Sequence, residues 1–106
     1  MVGTTWRPRA WRHHTALRAE ARRLAQERLD DLVVREGHAA LSARVDTPGS
    51  EDVVGSDGRV WQVETEVWRD VGTDLRVVVS VDDGGLMALL PPTVGTVVAS
   101  DDRPSA

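Results

Sequence analysis

The first third of the chain carries the hydrophobic spacing of an amphipathic helix. Apolar side chains recur every three or four residues between Thr15 and Glu36, so they fall on one face of a helix. The members of this apolar stripe are Leu17, Ala21, Leu24, Ala25, Leu29, Leu32 and Val33. Thr15 can cap the first turn and Gly37 can end the last one in a left-handed conformation. The pattern predicts a long helix over residues 15–36 and a short second helix over about 38–44.

From Glu51 onward the period changes to two, which is typical of strands with one buried face. One face of the runs 60–68 and 75–81 collects Trp61, Val63, Thr65, Val67, Leu75, Val77, Val79 and Val81. Asp57-Gly58 and Asp83-Gly84 separate extended runs and predict tight turns. Pro91-Pro92 is expected to end a fourth strand near residues 86–90, because proline cannot donate to a strand ladder. A last strand is predicted over residues 94–99.

These elements predict an α+β fold. The N-terminal helix, with the short second helix, packs on one face of a four- to five-stranded antiparallel meander sheet. We expect one domain over residues 13–99, preceded by a partly ordered basic arm over residues 1–12 and followed by a polar tail over residues 100–106. Pro8 and Gly3 argue against an early start of the helix.

Charge is divided unevenly along the 106 residues. Residues 1–29 hold seven Arg and two Glu, a net charge of +5, and the remaining residues hold six Arg and fifteen acids, a net charge of −9. The chain contains no Cys and no Lys. The absence of Cys excludes disulfides and thiolate chemistry and favours a cytoplasmic location, and the Arg-only basic set suggests a prokaryotic genome. No apolar run is long enough for a membrane span, so no membrane partner is expected.

The outer face of the predicted sheet has a mixed character. Several apolar side chains fall by parity on the same side as the polar residues Gln62, Glu64 and Glu66; these are Val60, Trp68, Val78, Met87 and Leu89. The simplest register also places Arg76 opposite Trp68, where a cation–π contact is expected. An apolar patch with a charged rim is typical of a contact surface. We expect this patch to be covered in one of three ways. The chain itself can cover it, through Trp6 or Trp11 of the arm or through the second helix; the other two occupants are a protein partner or second copy, and a small molecule.

Candidate catalytic and metal-binding residues give weaker signals. Glu64 and Glu66 share one strand face and could act as an acid–base pair or hold a divalent ion, although alternating Glu residues usually form a solvated surface. His13, His14 and His38 are the only histidines, and the first two lie in a cationic segment that opposes a bound cation. We therefore expect no enzyme activity, no cofactor and no metal site.

Basic residues at the front of the chain form the second candidate surface. They are Arg7, Arg9, Arg12, Arg18 and Arg22. Clustered positive charge with nearby Trp can bind phosphates and stack on bases, but nucleic-acid-binding domains are usually basic overall and this chain has a pI near 5.3. The leading hypothesis is a non-catalytic interaction module that binds a protein partner, or a second copy as a homodimer, through the outer sheet face. The alternative is a nucleic-acid-binding accessory protein that uses the Arg-rich arm.

Overall fold

The chain folds into two helices followed by four strands. The computed structural model describes residues 8–85 and 90–100. Its elements are α1 (Pro8–Arg35), α2 (His38–Ser42), β1 (Gly49–Val54), β2 (Val60–Arg69), β3 (Leu75–Asp82) and β4 (Thr93–Val98). The strands form one antiparallel sheet in the order β1-β2-β3-β4, and α1 packs against β3 and β4 on one face. The predicted α+β fold, a helix on an antiparallel meander, is confirmed.

The long helix begins earlier than the sequence pattern predicts. α1 starts at Pro8, so the predicted start at Thr15 was wrong and Thr15 lies inside the helix. Proline is well suited to a first helical turn, because its fixed φ is helical and its missing N–H would have no helical partner there. Gly37 also differs from the prediction: its φ of −79° is not left-handed, and it occupies the N-cap position of α2.

The core lies between α1 and the inner face of the sheet. The predicted stripe supplies Ala21, Ala25, Leu29 and Leu32, all buried, while Val33 at the margin of the stripe is partly exposed. The sheet supplies every inward residue that alternation assigned to β2 and β3, and α2 adds Leu41. The buried sheet residues are Trp61, Val63, Thr65, Val67, Leu75, Val77, Val79 and Val81. This burial removes the inner face from water and is the main stabilising contribution of the fold.

The register of β2 and β3 matches the prediction. Trp68 lies opposite Arg76, Glu66 opposite Val78 and Glu64 opposite Ser80. The turn between β1 and β2 contains Asp57-Gly58 as predicted, with Gly58 at a φ of +82° that favours glycine. The alternation of the two strands therefore determined both the faces and the pairing.

The connection after β3 differs from the predicted tight hairpin. Gly84 has a φ of +83°, and its N–H donates to Asp82 Oδ1 at 2.7 Å, so a turn does begin there. The chain then returns as β4, over residues 93–98, which pairs with β3 on the side opposite β2. Residues 93–98 thus take the position beside β3 that the prediction gave to residues 86–90. Residues 86–89 lie outside the described residues, and Leu90 lies in a bend.

A bidentate ion pair holds the corner between the two helices. Arg44 Nε and Nη2 donate to Glu36 Oε1 and Oε2 at 2.8 and 2.7 Å. The hydrogen bonds from Arg44 hold the pKa of the Glu36 carboxyl below its ordinary value near 4.5, against a smaller opposing effect of burial. This arrangement fixes α2, and with it Leu41, over the end of the core.

We expect Gly55→Ala to lower the free energy of unfolding by about 1–3 kcal/mol, because an added methyl group would overpack the core. A Cβ at this position would lie 2.7 Å from Nε1 of Trp61, a fully buried ring. Urea unfolding followed by circular dichroism measures the change. Gly49→Ala is the matched control: its Cβ would meet only the end of the Arg44 side chain, at an ordinary 3.9 Å, so a change within about 0.5 kcal/mol is expected. Equal effects of the two substitutions would contradict the close approach to Trp61.

We expect Glu36→Gln to destabilise the protein by roughly 0.5–1.5 kcal/mol at pH 7, since Arg44 loses a partly screened charged acceptor. A carboxyl with a lowered folded-state pKa contributes stability above its unfolded pKa, and that contribution is lost as the pH falls through the folded pKa. The difference from wild type should therefore shrink steadily below about pH 4.5. Unfolding curves between pH 3 and 7 test this, with exposed Glu64→Gln as the control; a pH-independent difference would contradict the ion-pair explanation.

Candidate functional site on the outer sheet face

The outer face of the sheet is formed by the residues that point away from α1. Strand pairing arranges most of them in rows that cross three or four strands, and two of these rows differ most in character. One row is polar and contains Ser50, Glu64, Ser80 and Thr93. The other lies near the β2–β3 loop and contains Trp68, Arg76 and Val97. The two helices pack on the opposite side, and within residues 15–85 and 90–100 no helix covers this face.

An apolar patch lies around the second row. Trp68 is 47% exposed and Val97 is 44% exposed, on either side of Arg76. Val78 is half-buried in the adjacent row, opposite Gly95. A Cβ at Gly95 would lie 3.3 Å from Val78 Cγ2, so a side chain at this position would crowd Val78. We call Trp68, Arg76, Val78 and Val97 the outer patch.

The structure brings together only part of the predicted interface. Trp68, Arg76 and Val78 are neighbours as predicted, but Val60 pairs with Val54 at the other end of β2. Eight residues of strand separate Val60 from Trp68, a distance of about 27 Å at the usual rise. Met87 and Leu89, the two remaining predicted members, lie outside the described residues.

Val97 is the member of the outer patch that the sequence reasoning missed. It lies opposite Arg76 on β4, and its alternation with Thr93 and Gly95 places it on the outer side. The strand itself was predicted, but its position beside β3 was not. Without that pairing, the parity of its residues could not be related to the faces of the sheet.

Arg76 is held at the edge of the patch by a carboxylate. Its Nη2 lies 3.7 Å from Oδ2 of Asp70, in the β2–β3 loop. Arg76 lies directly opposite Trp68, as the predicted cation–π contact requires. The stacking of the guanidinium on the Trp68 ring stays a prediction. The ion pair is half-exposed and weak, so it leaves the guanidinium able to donate to another acceptor.

A shallow cavity of about 240 Å³ adjoins Trp68. Its lining comes from β2 and from the segment that precedes β1: Arg44, Asp46, Thr47, Pro48, Glu66, Val67 and Trp68. Such a volume accommodates a single side chain. Two of the lining groups are carboxylates and one is a guanidinium that is already paired with Glu36. The cavity therefore favours a neutral or positively charged group.

Glu64 and Glu66 lie on the outer face, in the middle of β2. Glu64 is exposed between Ser50 and Ser80, and Glu66 is half-buried beside Val78. The nearest hydroxyl pair, Ser80 Oγ and Thr93 Oγ1, is joined by a 3.0 Å hydrogen bond. Within residues 15–85 and 90–100, no three His, Cys, Asp or Glu side chains are grouped as a metal site requires. Glu64 is thus open to solvent, whereas Glu66 is only partly exposed.

The basic residues of the second candidate surface are only partly described. Arg18 Nη1 donates to the carbonyl oxygen of Leu90 at 3.0 Å, so this side chain anchors the β3–β4 connection to α1. Arg22 is exposed on the same helix. Arg7 lies outside the described residues; Arg9 and Arg12 lie in α1, and their side chains, like those of His13 and His14, are outside the described part. His38 Nε2 is hydrogen-bonded to the carbonyl oxygen of Thr73, which ties α2 to the β2–β3 loop.

Comparisons with known proteins identify no relative: no protein-family model, no curated protein and no solved structure matches the chain. Neither described helix has the length and apolar character needed to cross a bilayer. The site must therefore be interpreted from its own chemistry.

We expect the outer patch to contribute little to folding. Trp68→Gln should change the free energy of unfolding by less than about 1 kcal/mol, because the ring is half in water already. Trp61→Leu, which alters a fully buried ring, should cost at least about 2 kcal/mol. Denaturant unfolding of the two variants measures the contrast. A large loss at Trp68 would mean that the ring is held for stability rather than for contact.

Proposed function

We propose that the protein is a non-catalytic interaction module that binds a protein partner through the outer patch. The observation that carries the proposal is the row of Trp68, Arg76 and Val97, in which two large apolar side chains remain about half-exposed on the outer sheet face. Exposed apolar groups beside a guanidinium that can still donate hydrogen bonds are typical of contact surfaces.

The composition of the patch supports a protein as the partner. Trp and Arg are the residues most enriched among those that dominate binding energy at protein interfaces. The adjoining cavity offers a place for one partner side chain, and Trp68 forms part of its wall. Gly95 is exposed and carries no side chain, so it adds no wall to the patch, and an open surface suits a protein contact better than an enclosed small-molecule site.

The charges around the patch indicate what the partner surface carries. Glu64 and Glu66 share the outer face, while Asp70 and Asp46 lie at its margin. These carboxylates would repel a phosphate backbone and attract basic side chains. The proposed partner therefore presents apolar residues with a basic rim, and nucleic-acid binding through the arm becomes the alternative to be separated by experiment.

A pull-down from a lysate of the native source tests the proposal. Wild type, Trp68→Glu and the control Val54→Glu are compared, each with and without nuclease. Val54 is an exposed outer-face residue at the far end of the sheet, 67% accessible, so the same charge is added away from the patch. We expect a stoichiometric protein that resists nuclease, is kept by Val54→Glu and is lost by Trp68→Glu.

Two results would contradict this function. Equal recovery with Trp68→Glu and Val54→Glu would place the contact elsewhere. Recovery of nucleic acid, with any protein lost after nuclease treatment, would favour the Arg-rich arm; affinity should then fall steeply with salt as counterions are released.

A further inference from the structure

One edge of the sheet is left open. β4 pairs with β3 on one side, and no strand within residues 8–85 and 90–100 pairs with its other side. The N–H of Val81 donates to the carbonyl oxygen of Pro92 at 3.1 Å. This bond fixes which residues of β4 direct their backbone groups toward β3 and which direct them away from it. Since the backbone groups of an antiparallel strand alternate in direction, the N–H and C=O groups of Thr93, Gly95 and Val97 face the open edge.

The two edges of the sheet carry different charges. β1, at the opposite edge, contains Glu51 and Asp52, and Arg28 Nη2 lies 2.7 Å from Glu51 Oε1. Charged side chains on an edge strand are a common protection against pairing with another chain. β4 contains none, and residues 84–100 include no ionisable side chain in a chain that is 28% charged. Of the two edges formed by the described strands, the β4 edge lacks this protection.

The helix beside the open edge also exposes apolar side chains. Val34 is 84% exposed on α1, and Val33 next to it is partly exposed. Both residues line a groove of about 340 Å³ together with Gly95 and Thr96 of β4 and with Gln26, Leu29 and Asp30 of α1. The exposed apolar surface of the helix is therefore continuous with the open strand edge.

We propose that the β4 edge binds a second copy of this chain, which forms a two-fold dimer with a continuous eight-stranded sheet. Antiparallel pairing of β4 with the same strand of the other copy can be centred on Gly95, so that Thr93 of each copy pairs with Val97 of the other. This register joins the outward backbone groups of Thr93, Gly95 and Val97 and brings no charged side chains of β4 together. The charged side chain that lines the adjoining groove is Asp30 of α1, which accepts a hydrogen bond from Gln26. The inference is independent of the function proposed for the outer patch.

The direction of the two-fold axis explains why Val33 and Val34 are exposed in a single copy. Extending a sheet across an axis perpendicular to it keeps both helices on the same face. Each α1 already borders its own β4, so the Val33 and Val34 side chains of the two copies approach each other above the seam. Strand pairing and helix contact then form a single interface.

Pairing of β4 with β4 of a second copy fits the two edges better than pairing of β4 with β1. Pairing β4 with β1 of another copy would be head-to-tail and would continue into an open filament, whereas pairing β4 with itself is closed. In the dimer both uncharged β4 edges are paired with each other. The two ends of the eight-stranded sheet are then β1 strands, each of which contains Glu51 and Asp52. The acids that protect β1 would also oppose dimerisation through β1.

Sedimentation equilibrium and light scattering of the full chain test the dimer across a range of protein concentrations. The wild-type mass should approach twice the chain mass of 11.6 kDa. Val34→Glu should raise the dissociation constant roughly tenfold or more, since it puts two like charges beside the axis. Val54→Glu, which adds the same charge at the opposite edge, should leave the dimer intact. Circular dichroism confirms that both variants fold.

Amide hydrogen exchange gives a second measurement that does not depend on a substitution. The N–H groups of Thr93, Gly95 and Val97 should become protected as the protein concentration rises, while that of Val94, already directed toward β3, should change little. A wild-type monomer at the highest concentration would overturn the proposal. A dimer that survives Val34→Glu but dissociates with Trp68→Glu would overturn it as well, because the contact would then lie on the outer patch.

Discussion

The packing of the apolar stripe of α1 against one face of the sheet is the constraint on which the rest of the structure depends. Because side chains alternate along a strand, covering Trp61 and Val77 on the inner side leaves Trp68 and Val97 on the outer side. A shift of one residue in any strand would exchange the two faces. The outer patch is thus a consequence of how the core is formed, and no separate structural device is needed to expose it.

This constraint explains which features could be predicted from the sequence. In β2 and β3, alternation over eight or more residues fixed the buried face, and the requirement that buried faces match across the loop fixed the register of Trp68 with Arg76. The stripe from Leu17 to Leu32 was equally clear, because its spacing repeats over several turns. Local patterns of this length contain enough information to determine both an element and its orientation.

Other features depended on information that no local pattern contains. The start of α1 at Pro8 was missed because proline opposes a helix interior but favours a first turn, and the sequence alone does not say which applies. The place of β4 beside β3 is a long-range pairing across the β3–β4 connection. Val97 was consequently absent from the predicted site, although the residue and its strand were both visible in the sequence.

The outer patch and the β4 edge meet at Gly95 and Val97, which gives the two proposals a common geometry. Gly95 places no side chain on the outer face beside Val78, and its backbone groups face the open edge. If two copies join along β4, their outer patches lie on one continuous sheet surface on either side of the axis. A partner with two matching segments would then bind both copies, and linking the two contacts raises the overall affinity without any new contact in either patch. The absence of charge from residues 84–100 is consistent with such a seam, where any ionisable group on β4 would be repeated across the axis and would face its own copy.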